Sequence, residues 1–391
     1  MFALVFSFIL QIPQPELNLE YYTSLASDFT ASTDKDAPLR GINIVVTGAT
    51  SGLGLDLSKQ LYILGGTIIA VGRSESKLAK LVEEVQDTRQ EEGNNHDKRF
   101  ITVLADLQDM ESVSAAANAI KSKFKTIDYL INNAGMTQSL GKEMATPQGH
   151  DEVFAVNYLS HFLLTEKLLP NLKLSKLSKG PRIVQISSSM HNLVSGDDLV
   201  PSTSGETPVA SLPNNKNGMK AYGNSKLAQI YHARSLTRKF GDSKKKKGDT
   251  SSSLKIVSVC PAWVATHIAG AGMKNILDIF AFQSNGYGLA PILFAMFHPD
   301  VGMKDGIYND YVTNCSILSG NFFSVMEKIV NLAAPIPFFR EALLLIGSGG
   351  ILFLQKIFAS VDFRPTGSAG YDVVKQDALY AWSMKAVQPW V

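Results

Sequence analysis

The sequence predicts an α/β protein built on a doubly wound parallel sheet, a single domain that ends in an apolar helical extension. Three observations predict it. Short apolar runs at 42–47, 67–71, 100–104, 127–131, 182–186 and 254–259 alternate with longer stretches of helical spacing. The runs are too uniformly apolar for a sheet with one wet face, so they read as strands covered on both sides. A glycine-rich turn, Thr47 to Gly54, closes the first run and opens the first helical stretch.

Taken in order, 42–47 is strand one and 54–64 a helix. Strand two, 67–71, precedes a charged helix over 76–92, where Leu78, Leu81, Val82 and Val85 recur at helical spacing. Strand three, 100–104, is followed by a helix over 110–124 and strand four, 127–131. A helix over 150–169 leads to strand five, 182–186. A helix over 222–240 then leads to strand six, 254–259. Two polar loops interrupt the alternation. Residues 192–220 are rich in Ser, Pro, Gly and Asn, and 241–253 carry Lys244 to Lys247 in a row, which reads as a solvated loop.

The expected organisation is a leader over 1–39, a nucleotide-binding domain over 40–314, and an apolar helical lid with a final helix over 315–391. The apolar run from Phe2 to Leu10 is too short to span a bilayer and lacks a basic flank. It reads equally as an interfacial anchor, a weak targeting segment or a strip packed on the domain. Asp28, Asp34 and Asp36 argue against a transit peptide.

With 391 residues and 45% hydrophobic content, the chain can bury a large core. A formal charge of +2 gives no field that argues for nucleic acid. Charged residues at 18% and a mean hydropathy of +0.04 lean toward some apolar surface. Cys260 and Cys315 have neither disulfide-framework nor metal-ligand spacing and read as inert thiols; no metal is expected.

The turn carries Thr47, Gly48, Thr50, Ser51, Gly52, Leu53 and Gly54. Small residues let the backbone turn sharply and approach a pyrophosphate, and the helix that follows offers free N–H groups and the positive end of its dipole. A tight turn without a ligand is the competing reading. At the end of strand two, where a carboxylate would bond the ribose hydroxyls of NAD, the chain has Arg73, followed by Lys77. A guanidinium there can clamp a 2′-phosphate, so NADP(H) is the expected cofactor. Asp106 and Leu107 follow strand three, and Asn133, Ala134 and Gly135 follow strand four. Asp106 reads either as an acceptor for the adenine amino group or as a helix N-cap.

Tyr222 and Lys226 stand one turn apart on one helical face, where an ammonium can stabilise a phenolate and fit the phenol for proton transfer. Ser188 ends strand five between Ser187 and Ser189, where open α/β sheets place ligand-binding groups. Asn157 is either a polar group holding a proton-relaying water or a satisfied core asparagine.

This ordered set resembles the short-chain dehydrogenase/reductase superfamily over roughly residues 40–310. The stretches 157–165, 188–191, 222–227 and 259–266 are similar to its branch of retinol dehydrogenases, WW-domain oxidoreductases and protochlorophyllide reductases. The resemblance implies a Rossmann-type fold and a catalytic tetrad of Asn157, Ser188, Tyr222 and Lys226. It adds Pro261 and Thr266 to the cofactor contacts, and Tyr222 and Lys226 as well. Two departures stand out: Ala262 where the family has glycine, and the apolar insertion at 315–375. The implied activity is hydride transfer between NADP(H) and a carbonyl or alcohol of a small apolar substrate. A cofactor-binding sensor or scaffold and a light-dependent pigment-precursor reductase are the alternatives. A peripheral membrane contact and a homodimer stay open, as does the location, between the cytoplasm and an intracellular membrane such as the endoplasmic reticulum.

Overall fold

The computed structural model describes residues 16–90, 98–137, 145–202, 206–213, 218–241, 253–261, 264–265, 282–304, 307–309, 311–313, 362–363, 366 and 368–391. The expectations for the apolar run Phe2 to Leu10, the four-lysine loop, Ala262, Thr266, Cys315 and the body of the apolar segment over 315–361 lie outside these residues.

The strands are β1 (Asn43–Thr47), β2 (Thr67–Gly72), β3 (Phe100–Leu104), β4 (Tyr129–Asn132), β5 (Arg182–Ile186), β6 (Lys255–Cys260), β7 (Val264–Ala265), β8 (Phe282–Gln283), β9 (Gly302–Lys304), β10 (Ile307–Asn309), β11 (Tyr311–Thr313) and β12 (Asp362–Phe363). The main sheet has the order β12-β11-β6-β5-β4-β1-β2-β3, while β7 with β8 and β9 with β10 form two small pairs. Seven of its eight strands run parallel, with β3 at one edge, and β12 lies antiparallel to β11 at the other.

The helices are α1 (Leu19–Thr30), α2 (Gly52–Ile63), α3 (Glu75–Gln90), α4 (Met110–Lys123), α5 (Glu152–Phe154), α6 (Ser160–Lys173), α7 (Gly218–Phe240), α8 (Ala290–Phe297) and α9 (Val373–Val387), with a π-turn over Ala155–Leu159 between α5 and α6. Alternate strand residues supply opposite layers. Ile44 and Val46 face a cluster built with Leu57, Leu61, Leu293 and Phe297, whereas Val45 faces Val113, Phe162, Leu227 and Tyr231. The doubly wound parallel sheet expected from the sequence is therefore the observed fold.

Part of the segment expected as a leader belongs to the domain. Helix α1 buries Tyr22, Ala26 and Phe29, starts on an Asn18 cap and joins the layer that contains α8. Its short length and mixed composition hide this in the sequence; only tertiary packing makes it a helix worth forming. Beneath it, the fully buried Arg182 donates to the carbonyls of Ala295 at 2.6 Å and His298 at 2.7 Å, with its guanidinium 4.2 Å from the Phe29 ring centre. A cation against the last carbonyls of α8 meets the negative end of that helix dipole. At the other end of the chain, α9 packs on α7 and also bonds to the neighbouring α6 and π-turn, where Tyr380 donates to Glu166 at 2.7 Å and Tyr158 and Ser383 share a bond of 2.8 Å.

Strand order reverses between β1 and β4, so their C-terminal ends open a crevice at the switch point. Residues Thr47 to Gly54 leave β1 there and Asn133 to Gly135 leave β4 beside them.

Candidate active site

The turn after β1 fits a pyrophosphate. Gly48 (φ +67°) and Gly52 (φ +53°) occupy the left-handed region. A Cβ at Gly48 would sit 2.9 Å from the Ala134 backbone, and one at Gly54 would sit 2.3 Å from the Gly48 carbonyl oxygen. The two loops are thus in contact only because these positions lack side chains. Ser51 is the residue before α2, and its hydroxyl makes no capping bond, leaving the first-turn N–H groups without a side-chain partner. Leu53 is buried beneath them. Thr50 packs near Gly72, at the end of β2.

Arg73 and Lys77 are exposed at the crevice end of β2. Ser74 accepts from the Lys77 N–H at 3.4 Å. The buried Glu152 carboxylate feels the charges of Arg73 and Asp106; burial raises it above the usual carboxylate range and Arg73 pulls it back. Asp106 is exposed and closes a local turn by accepting from the Gln108 N–H at 3.0 Å, while the N-cap of α4 is Asp109, which accepts from the Glu111 N–H at 3.1 Å. The N-cap reading of Asp106 is therefore corrected: the helix starts one turn later, on the next aspartate. Leu107 is buried.

Across the crevice, the structure brings Ser188, Tyr222 and Lys226 together. The Ser188 side chain lies beside the Tyr222 phenol, and the Lys226 ammonium lies 5.4 Å from the Tyr222 ring centre. Lys226 donates to the Ile186 carbonyl at 2.8 Å and to Gln229 Oε1 at 3.1 Å. Burial lowers its pKa to about 7. Burial also pushes the Tyr222 phenol above its ordinary value, while the bond from Ser188 opposes that shift. The three neighbouring serines divide by contact. Ser187 is buried and donates to the Lys226 carbonyl at 2.9 Å; Ser189 is buried with its N–H on the Cys260 thiol at 3.2 Å; Ser188 keeps part of its surface open beside Tyr222. Pro261 is buried just beyond β6, next to Cys260.

Asn157 lies in the π-turn, fully buried. Its Oδ1 accepts from the Met136 N–H at 2.8 Å, and its Nδ2 donates to the Met136 carbonyl at 3.0 Å and to Ser225 Oγ at 2.9 Å. No described bond joins its side chain to Tyr222 or Lys226. Sequence reasoning passed over His161, Ser225 and Gln229. His161 was visible as the residue one turn beyond Asn157, on the same face.

A glycine turn at an uncapped helix N-terminus, together with a hydroxyl–phenol–ammonium cluster at the C-terminal end of the same sheet, defines a dinucleotide-binding oxidoreductase of the doubly wound class. The comparisons agree. The family model for short chain dehydrogenase matches residues 43–196. Polyprenol dehydrogenase of Homo sapiens is 34% identical, over 69% of this chain and 76% of that protein. Retinol dehydrogenase 11 of Homo sapiens is 29% identical, over 82% of this chain and 86% of that protein. The chloroplastic short-chain dehydrogenase TIC 32 B of Brassica napus is 26% identical, over 77% and 88%. A crystal structure of an uncharacterized protein from Mycobacterium paratuberculosis superposes with a TM-score of 0.55 at 21% identity, covering 90% of this chain and 94% of that one, and shares the fold. The chain belongs to the short-chain dehydrogenase/reductase family, in its retinol-dehydrogenase-like branch.

Proposed function

We propose that this protein moves a hydride between NADP(H) and a carbonyl or alcohol on a small apolar substrate, with Tyr222 transferring the proton. The observation that carries the reading is the contact between Ser188 and Tyr222 beside a buried Lys226, across the crevice from the glycine turn. The nicotinamide supplies the hydride when bound. Thr47 to Gly54 receive the pyrophosphate at the N-terminus of α2. Asn133, Ala134 and Gly135 line the ribose side, with Pro261 and Thr266 beyond β6, and Asp106 and Leu107 flank the adenine. Arg73, with Lys77 beside it, meets the 2′-phosphate, since no carboxylate ends β2.

In reduction, Tyr222 gives its phenolic proton to the carbonyl oxygen while Ser188 donates a hydrogen bond to the same oxygen. The phenolate that remains is stabilised by Lys226, whose charged form gains in turn from the phenolate. Asn157 acts from behind, holding the Met136 backbone and the Ser225 hydroxyl at the root of α7. The reading keeps a catalytic unit over 40–314, joined by the helix Leu19–Thr30, and assigns the stretch over 315–391 to an apolar substrate lid followed by the C-terminal helix. The apolar substrate class draws support from the names of two relatives, retinol dehydrogenase 11 and polyprenol dehydrogenase.

The test is oxidation of NADPH by the intact chain across a panel of ketones, aldehydes, retinals and long-chain polyprenals, beside a matched set with NADH. Turnover of an apolar carbonyl with NADPH is expected. Tight dinucleotide binding without turnover on any member of the panel would overturn the assignment in favour of a cofactor-binding sensor.

A further inference from the structure

The fully buried His161 bridges two sequence-distant parts of the site. Its Nδ1 lies 3.0 Å from the Asn157 carbonyl oxygen, and its Nε2 lies 2.8 Å from Thr47 Oγ1. A carbonyl oxygen only accepts, so Nδ1 carries the proton. In the neutral ring Nε2 then accepts, and the Thr47 hydroxyl must donate to it. Burial supports the neutral form by lowering this histidine to about 4.

That assignment fixes the rest. With its proton on His161, Thr47 Oγ1 has two lone pairs left, and they accept the N–H groups of Asn133 at 2.9 Å and Ala134 at 3.0 Å. Asn133 Nδ2 returns a bond to the Thr47 carbonyl at 2.8 Å. On the other side, Asn157 donates to Ser225, and Ser225 donates to the Tyr222 carbonyl at 2.8 Å. One unbroken set of bonds therefore runs from the turn beneath the pyrophosphate, through His161 and Asn157, to the backbone of Tyr222. Thr47, Asn157, His161 and Ser225 are fully buried, and the set reaches partly open residues only at its ends, at Asn133, Ala134 and Tyr222.

We propose that His161 is a positioning residue that couples the nucleotide-binding turn to the proton-transferring tyrosine. It sets the Thr47 hydroxyl so that the loop after β4 closes on Gly48, and it holds the π-turn whose Asn157 anchors the start of α7. The inference rests on the functional reading above. Its distinctive content is that dinucleotide affinity and the chemical step share one buried imidazole which touches neither the cofactor nor the substrate.

The experiment uses the full chain with His161→Leu, His161→Gln, Thr47→Val and the two Thr47 double variants. Dinucleotide Kd is measured by direct titration and kcat at saturating cofactor, with circular dichroism and thermal melting as the measure of folding. His161→Leu removes both bonds and is expected to raise Kd and lower kcat, each on the order of tenfold, the weight of one buried hydrogen-bonding group. His161→Gln keeps a donor and an acceptor on one side chain and should recover part of both. Adding Thr47→Val to His161→Leu should cost much less than the sum of the two single changes. A merely structural defect would shrink the folded fraction and leave Kd untouched. Unchanged Kd in both His161 variants, equal losses for Leu and Gln, or additive double variants would overturn the proposal while leaving the functional reading intact. An intact chain that binds neither NADPH nor NADH would overturn the functional reading itself, and this inference with it. If His161→Leu fails to fold, the Gln variant and its Thr47 double decide alone.

Discussion

Tyr222 and Lys226 stand one helical turn apart, and burial pushes both toward their neutral forms: the phenol upward, the ammonium down to about 7. Neither can hold charge cheaply in that setting unless the other compensates, which is the physical basis of a coupled proton donor. Tyr222→Phe removes the transferable proton and keeps the ring over which Lys226 lies. We expect kcat to fall on the order of a hundredfold or more, the usual weight of general acid catalysis, with dinucleotide affinity preserved. Turnover and titration on the same preparation check this, and full turnover in the variant would sink the assignment of Tyr222. Arg73→Ala tests the other wall of the crevice. Losing a charge-assisted bidentate contact should cut the preference for NADPH over NADH roughly tenfold or more. Equal affinity of the unaltered protein for both cofactors would remove the claim. At this scale motif spacing singled out Ser188, Tyr222 and Lys226, and the structure brings these three side chains together. Sequence reasoning chose Ser188 over its neighbours Ser187 and Ser189 without a local signal to separate them, since only the fold decides which hydroxyl lies beside Tyr222. It also left Asn157 between two readings, and the structure shows its side chain held by Met136 and Ser225.

Elements were legible in proportion to their local signal. The six strands named from apolar runs and the helices between them all form; five of the strands are covered on both faces, which needs continuous hydrophobicity, while the edge strand β3 is partly open. The π-turn over Ala155–Leu159 was not legible, since one extra residue in a turn leaves no periodic trace. Helix α1 and the buried Arg182 were missed for a related reason: both depend on α8, which lies far along the chain. Arg182→Met keeps the aliphatic stem but leaves the Ala295 and His298 carbonyls buried without their charged donor. It should cost about 3 kcal/mol by urea unfolding. Arg40→Ala, which removes an exposed pair to Asp34 at 3.3 Å, should cost under about 1 kcal/mol. Similar losses in both variants would refute the capping role. Gly48→Ala makes a different kind of test, because a Cβ would both strain the positive φ and strike the Ala134 backbone. The turn must shift to admit it, so dinucleotide binding should weaken more than thermal stability does.

The molecule as a whole buries histidines that its unfolded chain would protonate. Desolvation lowers His161 and His191 to about 4, and it also lowers His150 and His232. For a histidine with a depressed folded value, the unfolded state binds the proton first as pH falls below about 6.5, so stability drops through that window and the loss is complete only below the folded value. Buried carboxyls oppose this. Asp151 is raised to about 6 by desolvation, and Asp128 and Glu152 are raised too, so the folded state takes up those protons first and gains stability as pH falls. The lowered carboxyls Glu84, Glu166 and Asp197 act in the same sense as the histidines at lower pH, so the groups that favour proton uptake by the unfolded state outnumber the three raised carboxyls. The fall sets in as pH drops below about 6.5 and continues as the unfolded histidines fill, with Asp151 offsetting part of it around pH 6 and below. Each net proton contributes about 1.4 kcal/mol per pH unit. Lys226, lowered to about 7 from 10.5, adds a further loss only as pH falls from 10.5 toward 7, above the acid window. Urea midpoints measured at pH 7.5, 6.5, 6 and 5 should therefore decline steadily toward acid, with the m-value unchanged. His191→Gln, which removes a ring lowered to about 4, should flatten the acid slope by close to one proton. Midpoints that stay level between pH 6.5 and 5, or a His191→Gln slope equal to that of the unaltered protein, would show that these imidazoles do not control the acid limit of the fold.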